Sequence, residues 1–536
     1  MDISEHAFEG GIVAHLHRIH GYRTRLNADY DKALCLDWEL LLEFITATQP
    51  DTWRALERQH GPAVKDKFLK RLTQELARRG TLDVLRRGIK DYGCYFHLAY
   101  FPPASNLNPE HRTLYGKNIL SVLRQCRYST RNDHAIDLAL FLNGLPIITA
   151  ELKNQLTGQN VSHARQQYRD DREPKSEPLL QFKRCLVHFA MDDDEVAMTT
   201  RLQGQQTQFL PFNRGVDGGA GNPHNSMGYA SAYLWEEIWQ PDNLLELIGH
   251  FIHLEMEDRD GQRGETLIFP RYHQRDAVRA LIAHAQAHGH GHSYLIQHSA
   301  GSGKSNSIAW LAHRLATLHN AQNRRVFDSV IVVTDRRVLD QQLQSTIRQF
   351  EQTPGVVNVI NKHSEQLAEA LEGGADIIVS TLQKFPVIVG KVGALPGKRF
   401  AVVVDEAHSS QTGEASTSLK TILQVDNLEE AEQIEAVEAT ASEDLINRSM
   451  AARGRQPNLS FLPSPQRPSK KRWRSSVKGN QMVVSGHFIF IQCVRQSKKV
   501  LFSTSCRTTR HSKHILTYSK RSLMIRAMRR AAPSAY

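Results

Sequence analysis

No two cysteines in this sequence form a Cys-x-x-Cys pair; Cys35, Cys94, Cys126, Cys185, Cys493 and Cys506 lie far apart. That spacing argues against a disulfide framework and against a zinc finger or ribbon, and it fits reduced thiols. Long apolar runs are missing too, since none approaches the ~18 uninterrupted apolar residues of a membrane helix. The first residues, Met1-Asp2-Ile3-Ser4-Glu5, lack the basic segment and apolar stretch of a secretory signal. These absences lead us to expect a cytoplasmic protein with no membrane partner. Acidic residues disappear after Phe461: from Ser464 to Tyr536 there are 17 Lys and Arg and no Asp or Glu. The net charge of +11 therefore belongs to that end, and the residues before Ser464 carry −6. Overall basicity is thus no evidence that the body of the chain binds nucleic acid, and the question passes to motifs.

What is present is a chain of 536 residues, enough for about three domains. Up to about Gln240, helical patterns over 38–46 and 64–79 mix with two strand-like runs between Ala135 and Leu152, so the segment reads as α/β. A Gly/Asn/Pro-rich stretch over 213–228 reads as a surface loop. Helical spacing over 233–254 puts Trp235 and Trp239 on one face, where they suit core anchors better than a platform for bases. From Tyr294 onward short β-branched runs, at 294–296, 330–333, 377–379 and 402–404, alternate with helical stretches. Such alternation predicts a parallel sheet covered by helices, with ligands at the carboxyl ends of its strands.

Two motifs sit at such strand ends. Ala300 and Gly301-Ser302-Gly303-Lys304-Ser305 follow an apolar strand and precede a helical run. In that context glycines let backbone N–H groups approach phosphates, the helix N-terminus favours the anion, Lys304 can reach the β/γ-phosphates and Ser305 can ligate Mg²⁺. One departure is His298 where a small residue is expected. About 100 residues on, Val402-Val403-Val404 delivers Asp405-Glu406-Ala407-His408. On a strand neighbouring the phosphate-loop strand, Asp405 could hold the Mg²⁺ shell of ATP and Glu406 could orient the attacking water. Together these motifs resemble superfamily 2 helicases and translocases. The resemblance implies that Phe269-Pro270-Arg271-Tyr272-His273-Gln274 reads adenine, chiefly through Gln274. It also implies that Thr334-Asp335-Arg336-Arg337 and Ser380-Thr381-Leu382-Gln383-Lys384-Phe385 track DNA.

A second constellation lies upstream. Asp137, in the first strand-like run, is followed across Asn143-Gly144-Leu145-Pro146 by a run ending in Glu151-Leu152-Lys153. Period-two geometry puts Glu151 and Lys153 on one face, and hairpin pairing can bring Asp137 beside them. Two carboxylates can bind Mg²⁺, which polarises a phosphodiester, while Lys153 can stabilise developing charge. The pattern is similar to that of the PD-(D/E)xK nucleases. Four histidines (His284, His288, His290, His292) read instead as an exposed turn.

Nuclease and motor in this order, with the wording from Phe141 through Asn154, resemble the restriction (R) subunit of type I restriction–modification enzymes, from about Phe8 to Phe461. The resemblance implies an ATP-dependent endonuclease that translocates double-stranded DNA and cleaves it nonspecifically, in the cytoplasm of a bacterium or archaeon. Its implied partners are methyltransferase and specificity subunits. By the same resemblance Glu9 assists the nuclease, and Gln167-Tyr168 matches a DNA-positioning element, although Ala164 stands where a Gln is usual. The expected organisation is a PD-(D/E)xK endonuclease domain over 1–240, a first helicase ATPase lobe over 241–461, and a basic, disordered tail over 462–536.

Beyond Phe461 the family's Thr-Ala-Thr-Pro motif and second motor lobe are expected but not found. The sequence Leu462-Pro463-Ser464-Pro465-Gln466-Arg467-Pro468 can be encoded by CTG CCT TCA CCG CAA CGC CCA. Read from the third base, those codons give Ala-Phe-Thr-Ala-Thr-Pro. We therefore expect a frameshifted, truncated member, weak as a motor; a genuine DNA-binding tail is the alternative. Other readings are a DNA-repair helicase–nuclease without methyltransferase partners and a non-functional product of a disrupted gene.

Overall fold

A computed structural model describes residues 5–105, 107–216, 219–259, 262–298, 302–334, 343–344, 346–348, 356–359, 364–381, 388, 392, 395, 397–405, 458–464, 483–485 and 488–493. The first part contains β1 (Arg23–Arg25), the small hairpin β2 (Ile89–Asp91) and β3 (Cys94–Phe96), β4 (Leu120–Arg127), β5 (Ala135–Leu142), β6 (Leu145–Leu152), β7 (Val187–Met191), β8 (Val196–Thr199) and β9 (Leu210–Pro211). All but β2 and β3 make one mixed sheet, ordered β1-β4-β5-β6-β7-β8-β9. Its centre is β6, buried along its whole length between antiparallel β5 and parallel β7. Burial on both faces explains why β6 reads as an unbroken apolar run interrupted only by Thr149 and Glu151.

Helices Glu5–Arg18, Trp38–Thr48, Pro50–His60 and Val64–Arg79 add apolar side chains to the same core; the first packs against β1 and β4, the third and fourth against the β2–β3 hairpin. Asp37 starts the second of these by accepting from Leu40 N–H (3.2 Å), as an N-cap should. Phe8, Ile12 and Leu16 of the first are buried at i, i+4, i+8, so the helix is fixed by one apolar stripe. Its polar residues Glu5 and Glu9, one turn apart, are thereby placed over the sheet.

The second part begins with the hairpin β10 (His253–Arg259) and β11 (Gln262–Ile268). It continues with β12 (Ser293–His298), β13 (Ser329–Thr334), β14 (Val357–Val359), β15 (Ile377–Thr381), β16 (Phe400–Asp405), β17 (Leu459–Ser464), β18 (Val483–Ser485) and β19 (Phe488–Cys493). From β12 onward they form a sheet ordered β14-β15-β13-β16-β17-β12-β19-β18, parallel except for the β18–β19 pair. The β-branched runs of β13, β15 and β16 are wholly buried, as expected for a parallel sheet.

Three expectations change here. Helical spacing over 233–254 gives a broken path: a π-turn at Leu234–Ile238, a helix at Pro241–Glu246 and a second π-turn at Leu247–Phe251. Pro241 cannot continue the preceding turn and starts the next helix instead. The strand carrying Asp405 does not neighbour the phosphate-loop strand, because β17 lies between β16 and β12. The segment over 462–536, expected to be disordered, contributes the end of β17 together with β18 and β19. Of these, β19 pairs with β12 from Ser293↔Phe488 to His298↔Cys493. The acidic segment over 426–444 and the Asp335–Arg337 and Leu382–Phe385 portions of the DNA-tracking motifs lie outside the described residues.

Residues 1–496 form one compact unit, and the broken path joins its two sheets. Trp235 and Trp239 are buried core anchors, as read from the sequence. Arg86 donates to the carbonyls of Ile248 (2.7 Å) and Ile252 (2.6 Å), while Trp310 Nε1 donates to Phe251 O (2.7 Å). Glu246 receives Arg314 (2.6 Å) and Arg279 (3.2 Å). No helix among the described residues is long and apolar enough to cross a membrane.

Candidate active sites

The β5–β6 hairpin starts from a tight turn. Asn143 and Gly144 both take positive φ (49° and 78°), the requirement of a two-residue hairpin turn. A Cβ on Gly144 would lie 2.1 Å from Asp37 O, so glycine is needed there. The Asn143 side chain donates to Leu98 O (2.8 Å) and accepts from Ile119 N–H (2.6 Å), anchoring the turn. Pairing runs from Leu142↔Leu145 to Phe141↔Pro146 and then shifts by one residue at a bulge, so that Leu140 faces Ile148, Leu138 faces Ala150, and the next positions along are Asp137 and Glu151.

The structure brings those two carboxylates together. Asp137 Oδ2 accepts from Leu152 N–H (2.7 Å), which ties it to the backbone between Glu151 and Lys153. Glu151 is fully buried; its Oε1 accepts from Arg172 Nε (2.7 Å), and its Oε2 has no hydrogen-bond partner in the protein. Burial, then the negative charge of Asp137, push the Glu151 carboxyl up to about 8, against the pull of Arg172. Arg172 is itself fixed, with Nη2 on Ala135 O (2.7 Å) and its guanidinium 5.7 Å from the Tyr128 ring centre.

Lys153 donates to Glu5 Oε1 (2.6 Å), and Glu9, only 3% exposed, meets Arg124 at 3.2 Å. Gln125 bridges the helix and the hairpin, donating through Nε2 to Glu9 Oε2 (3.3 Å) and Asp137 Oδ1 (3.1 Å). Asp137, Glu151, Lys153 and Glu9 thus form one neighbourhood. Glu5, Gln125 and Arg172 belong to it and were not picked out from the sequence. The Glu5/Glu9 spacing of one helical turn was a usable signal. Nothing local marks Arg172, which reaches Glu151 from beyond the next helix.

Tyr168 is fully buried, its hydroxyl 2.8 Å from Thr149 Oγ1, so its place is inside the fold and not on a DNA-facing surface. Gln167 beside it has a buried Oε1 with no hydrogen-bond partner. Hard carboxylate oxygens and the bare Oε2 of Glu151 suit Mg²⁺, which commonly takes one or two carboxylates and completes its shell with water and phosphate oxygens. No group of three or more His, Cys, Asp or Glu among the described residues is arranged to hold a metal alone. That includes the four histidines expected to form an exposed turn: His284 and His288 lie instead at the end of the helix Tyr272–His288 and stack at 4.0 Å, His284 Nδ1 is 3.2 Å from the Tyr294 hydroxyl, and His288 and His292 bond to backbone carbonyls.

In the second sheet, Gly303 (φ 78°) begins the helix Lys304–Ala316, and Ser305 follows in its first turn. Lys304 Nζ lies 2.7 Å from Asp405 Oδ1 at the end of β16, both about 10% exposed; the helix that Lys304 begins packs against β13 and β16, which brings the lysine to that strand end. A cationic lysine at a helix N-terminus, facing a carboxylate at a strand end, fits ATP phosphates and Mg²⁺. Gln274 is buried, accepts from Arg271 N–H (2.9 Å) and donates to Gly303 O (2.9 Å); a Cβ on Gly303 would meet its Nε2 at 2.3 Å. The glutamine expected to read adenine therefore buttresses the phosphate loop in this structure. Ala300, Gly301 and Glu406 lie outside the described residues.

Residues 101–207 match the model of the type I restriction enzyme R protein N terminus, and residues 273–428 match the SWI2/SNF2 ATPase model. The chain is 28% identical over 290 residues to the endonuclease subunit of the HindI type I restriction enzyme of Haemophilus influenzae, covering 52% of this chain and 26% of that one. It is 23% identical over 338 residues to a putative type I endonuclease subunit of Methanocaldococcus jannaschii, covering 57% and 30%. A Staphylococcus aureus type I endonuclease subunit is 22% identical over 316 residues, again covering 57% and 30%. The matches thus span less than a third of each relative's length. With the R-protein N terminus lying over the Asp137–Glu151–Lys153 hairpin and the ATPase region over Lys304 and Asp405, the chain is similar to the R, or endonuclease, subunits of type I restriction enzymes.

Proposed function

We propose that this chain carries the nuclease and the first ATPase lobe of a subunit that couples ATP hydrolysis to translocation on double-stranded DNA and cleaves that DNA nonspecifically, docked on methyltransferase and specificity subunits that read the site, and that this copy is weak as a motor. The observation that carries this reading is the pairing of half-buried Asp137 with fully buried Glu151, whose Oε2 has no donor, on the same hairpin as Lys153. Mg²⁺ held by Asp137 and Glu151 would polarise the scissile phosphodiester. Arg172 holds Glu151 by one oxygen and leaves the other available; Lys153 provides the cation nearest the hairpin end. In the motor region, Lys304 and Ser305 would take the phosphates and Mg²⁺ of ATP, with Asp405 completing the metal shell and Glu406 orienting water.

The test is cleavage of circular DNA by the purified chain mixed with methyltransferase and specificity subunits. Cleavage requiring Mg²⁺ and lost with either partner omitted, with little DNA-stimulated ATP hydrolysis, is the expected result. Cleavage independent of ATP and of both partners would exclude the restriction-subunit reading.

A pH dependence follows from Glu151. Its folded-state value, raised from 4.5 to about 8, means that the metal-free fold holds a proton there at pH 7 that a bound cation must displace. Mn²⁺ affinity at this site is expected to rise up to about tenfold per pH unit below pH 8 and to level off above it. Without metal, the stabilisation from this protonated group is complete below pH 4.5 and lost as pH rises through about 8. Calorimetric titrations at several pH values, in buffers of different ionisation enthalpy, would detect the released proton; a flat affinity from pH 6 to 8 would exclude it.

A further inference from the structure

Gln125 sits in the interior of β4 with a left-handed backbone, φ 46°. Its neighbours pair regularly across the sheet, Arg124↔Leu138 and Cys126↔Ile136, so Gln125 faces Asp137 but breaks the ladder at that point. A non-glycine residue in this conformation inside a strand is strained, and the strain must be held by its surroundings. Asn27 does part of this, donating to Gln125 O (3.0 Å) and accepting from Arg127 N–H (2.7 Å). Core packing gives no reason for the strain, because Gln125 is exposed. Its side chain does give one: a single amide nitrogen reaches Asp137 Oδ1 and Glu9 Oε2 together.

On this geometry we propose that Gln125 is a positioning residue of the nuclease site, its amide fixing the Asp137 and Glu9 carboxylates in the orientation that receives a divalent cation. The inference rests on the nuclease reading above. Asp137 is gripped at both oxygens, Oδ2 by Leu152 N–H and Oδ1 by Gln125, so its plane cannot rotate. Each oxygen still has a free lone pair. Glu9 is held from its other side by Arg124, whose Nη2 donates to Oε2 (3.2 Å) and whose Nε forms an ion pair with Oε1 at 3.2 Å without a hydrogen bond. Without the amide, the two acids lose their shared donor, and the helix Glu5–Arg18 loses its polar tie to the hairpin at Asp137. The left-handed backbone aims the side chain at both acids at once, a function that accounts for keeping a strained glutamine where glycine would be relaxed.

That last point separates a positioning role from a structural one. In the full chain without nucleotide, Gln125→Gly should melt at or above the parent temperature, because glycine adopts this backbone without strain. Mn²⁺ titrated by calorimetry at pH 8 should nevertheless bind about tenfold or more weakly to both Gln125→Gly and Gln125→Ala, the size of effect typical for partners that orient metal ligands. Asp137→Ala in parallel identifies the share of binding that belongs to this site. Parental Mn²⁺ affinity in both Gln125 variants, alongside loss in Asp137→Ala, would overturn the proposal and leave the nuclease reading intact. Recovery of affinity in Gln125→Gly but not Gln125→Ala would also overturn it, because backbone shape alone would then be responsible. Parental affinity in Asp137→Ala would instead remove the nuclease reading itself.

Discussion

Arg172→Leu is expected to destabilise the protein by about 3 kcal/mol in urea unfolding, a large fraction of a typical fold's margin. The reason is the position of its partner. Glu151 is fully buried, and Arg172 Nε at 2.7 Å is the donor that holds its Oε1. Removing the guanidinium leaves both carboxylate oxygens without hydrogen-bond donors and also empties the contacts on Ala135 O and the Tyr128 ring. A broken buried pair costs about 3–5 kcal/mol when the remaining charge cannot escape. Glu151 can escape by holding its proton, because burial and Asp137 already push it up to about 8, which places the cost at the lower end. The same change removes the one group pulling that carboxyl down, so metal affinity at pH 7 should fall as well. The double variant Arg172→Leu with Glu151→Leu should recover most of the stability, since an apolar pair is well tolerated where an ion pair was buried. A single variant costing less than about 1 kcal/mol would mean that Arg172 is not the anchor of Glu151.

Much of this arrangement was legible because its signals are short-range. Asn143-Gly144 between two apolar runs fixes a hairpin and brings Asp137 and Glu151 to the same stretch of it, but the bulge between Leu140 and Phe141 that sets them opposite each other has no mark in the sequence. The phosphate-binding motif is legible for the same reason, since the strand before it and the helix that Lys304 begins are close in sequence. What escaped depends on contacts between distant segments. Arg172 and Glu5 reach the hairpin from a loop and from the first helix, and no local pattern specifies either meeting. The order of strands is equally non-local: β17, far downstream, inserts between β12 and β16. Tyr168 shows a further limit, since residue identity at a motif position does not reveal whether the ring faces DNA or the core. Gln125 was invisible because its meaning lies in a backbone angle that nothing in the neighbouring sequence requires.

The Lys304–Asp405 contact makes the second large prediction. Asp405 Oδ1 lies 2.7 Å from Lys304 Nζ, so nucleotide phosphates and Asp405 compete for one cation. Lys304→Ala should weaken MgATP binding on the order of a hundredfold, the loss of about 3 kcal/mol from charged hydrogen bonds to phosphate. Asp405→Asn should act in the opposite direction when Mg²⁺ is withheld. It frees Lys304 and removes a negative charge facing the phosphates, so ATP in EDTA should bind more tightly than to the parent. With Mg²⁺ present the advantage should vanish, because the same substitution removes a carboxylate from the metal shell. The signature is therefore a crossing: Asn at 405 improves metal-free binding and abolishes the gain that Mg²⁺ gives the parent. Fluorescent-nucleotide titrations with and without Mg²⁺ measure both arms. If Asp405→Asn weakened binding equally in both conditions, the carboxylate would be acting on the loop's structure and not as the lysine's competitor and the metal's partner.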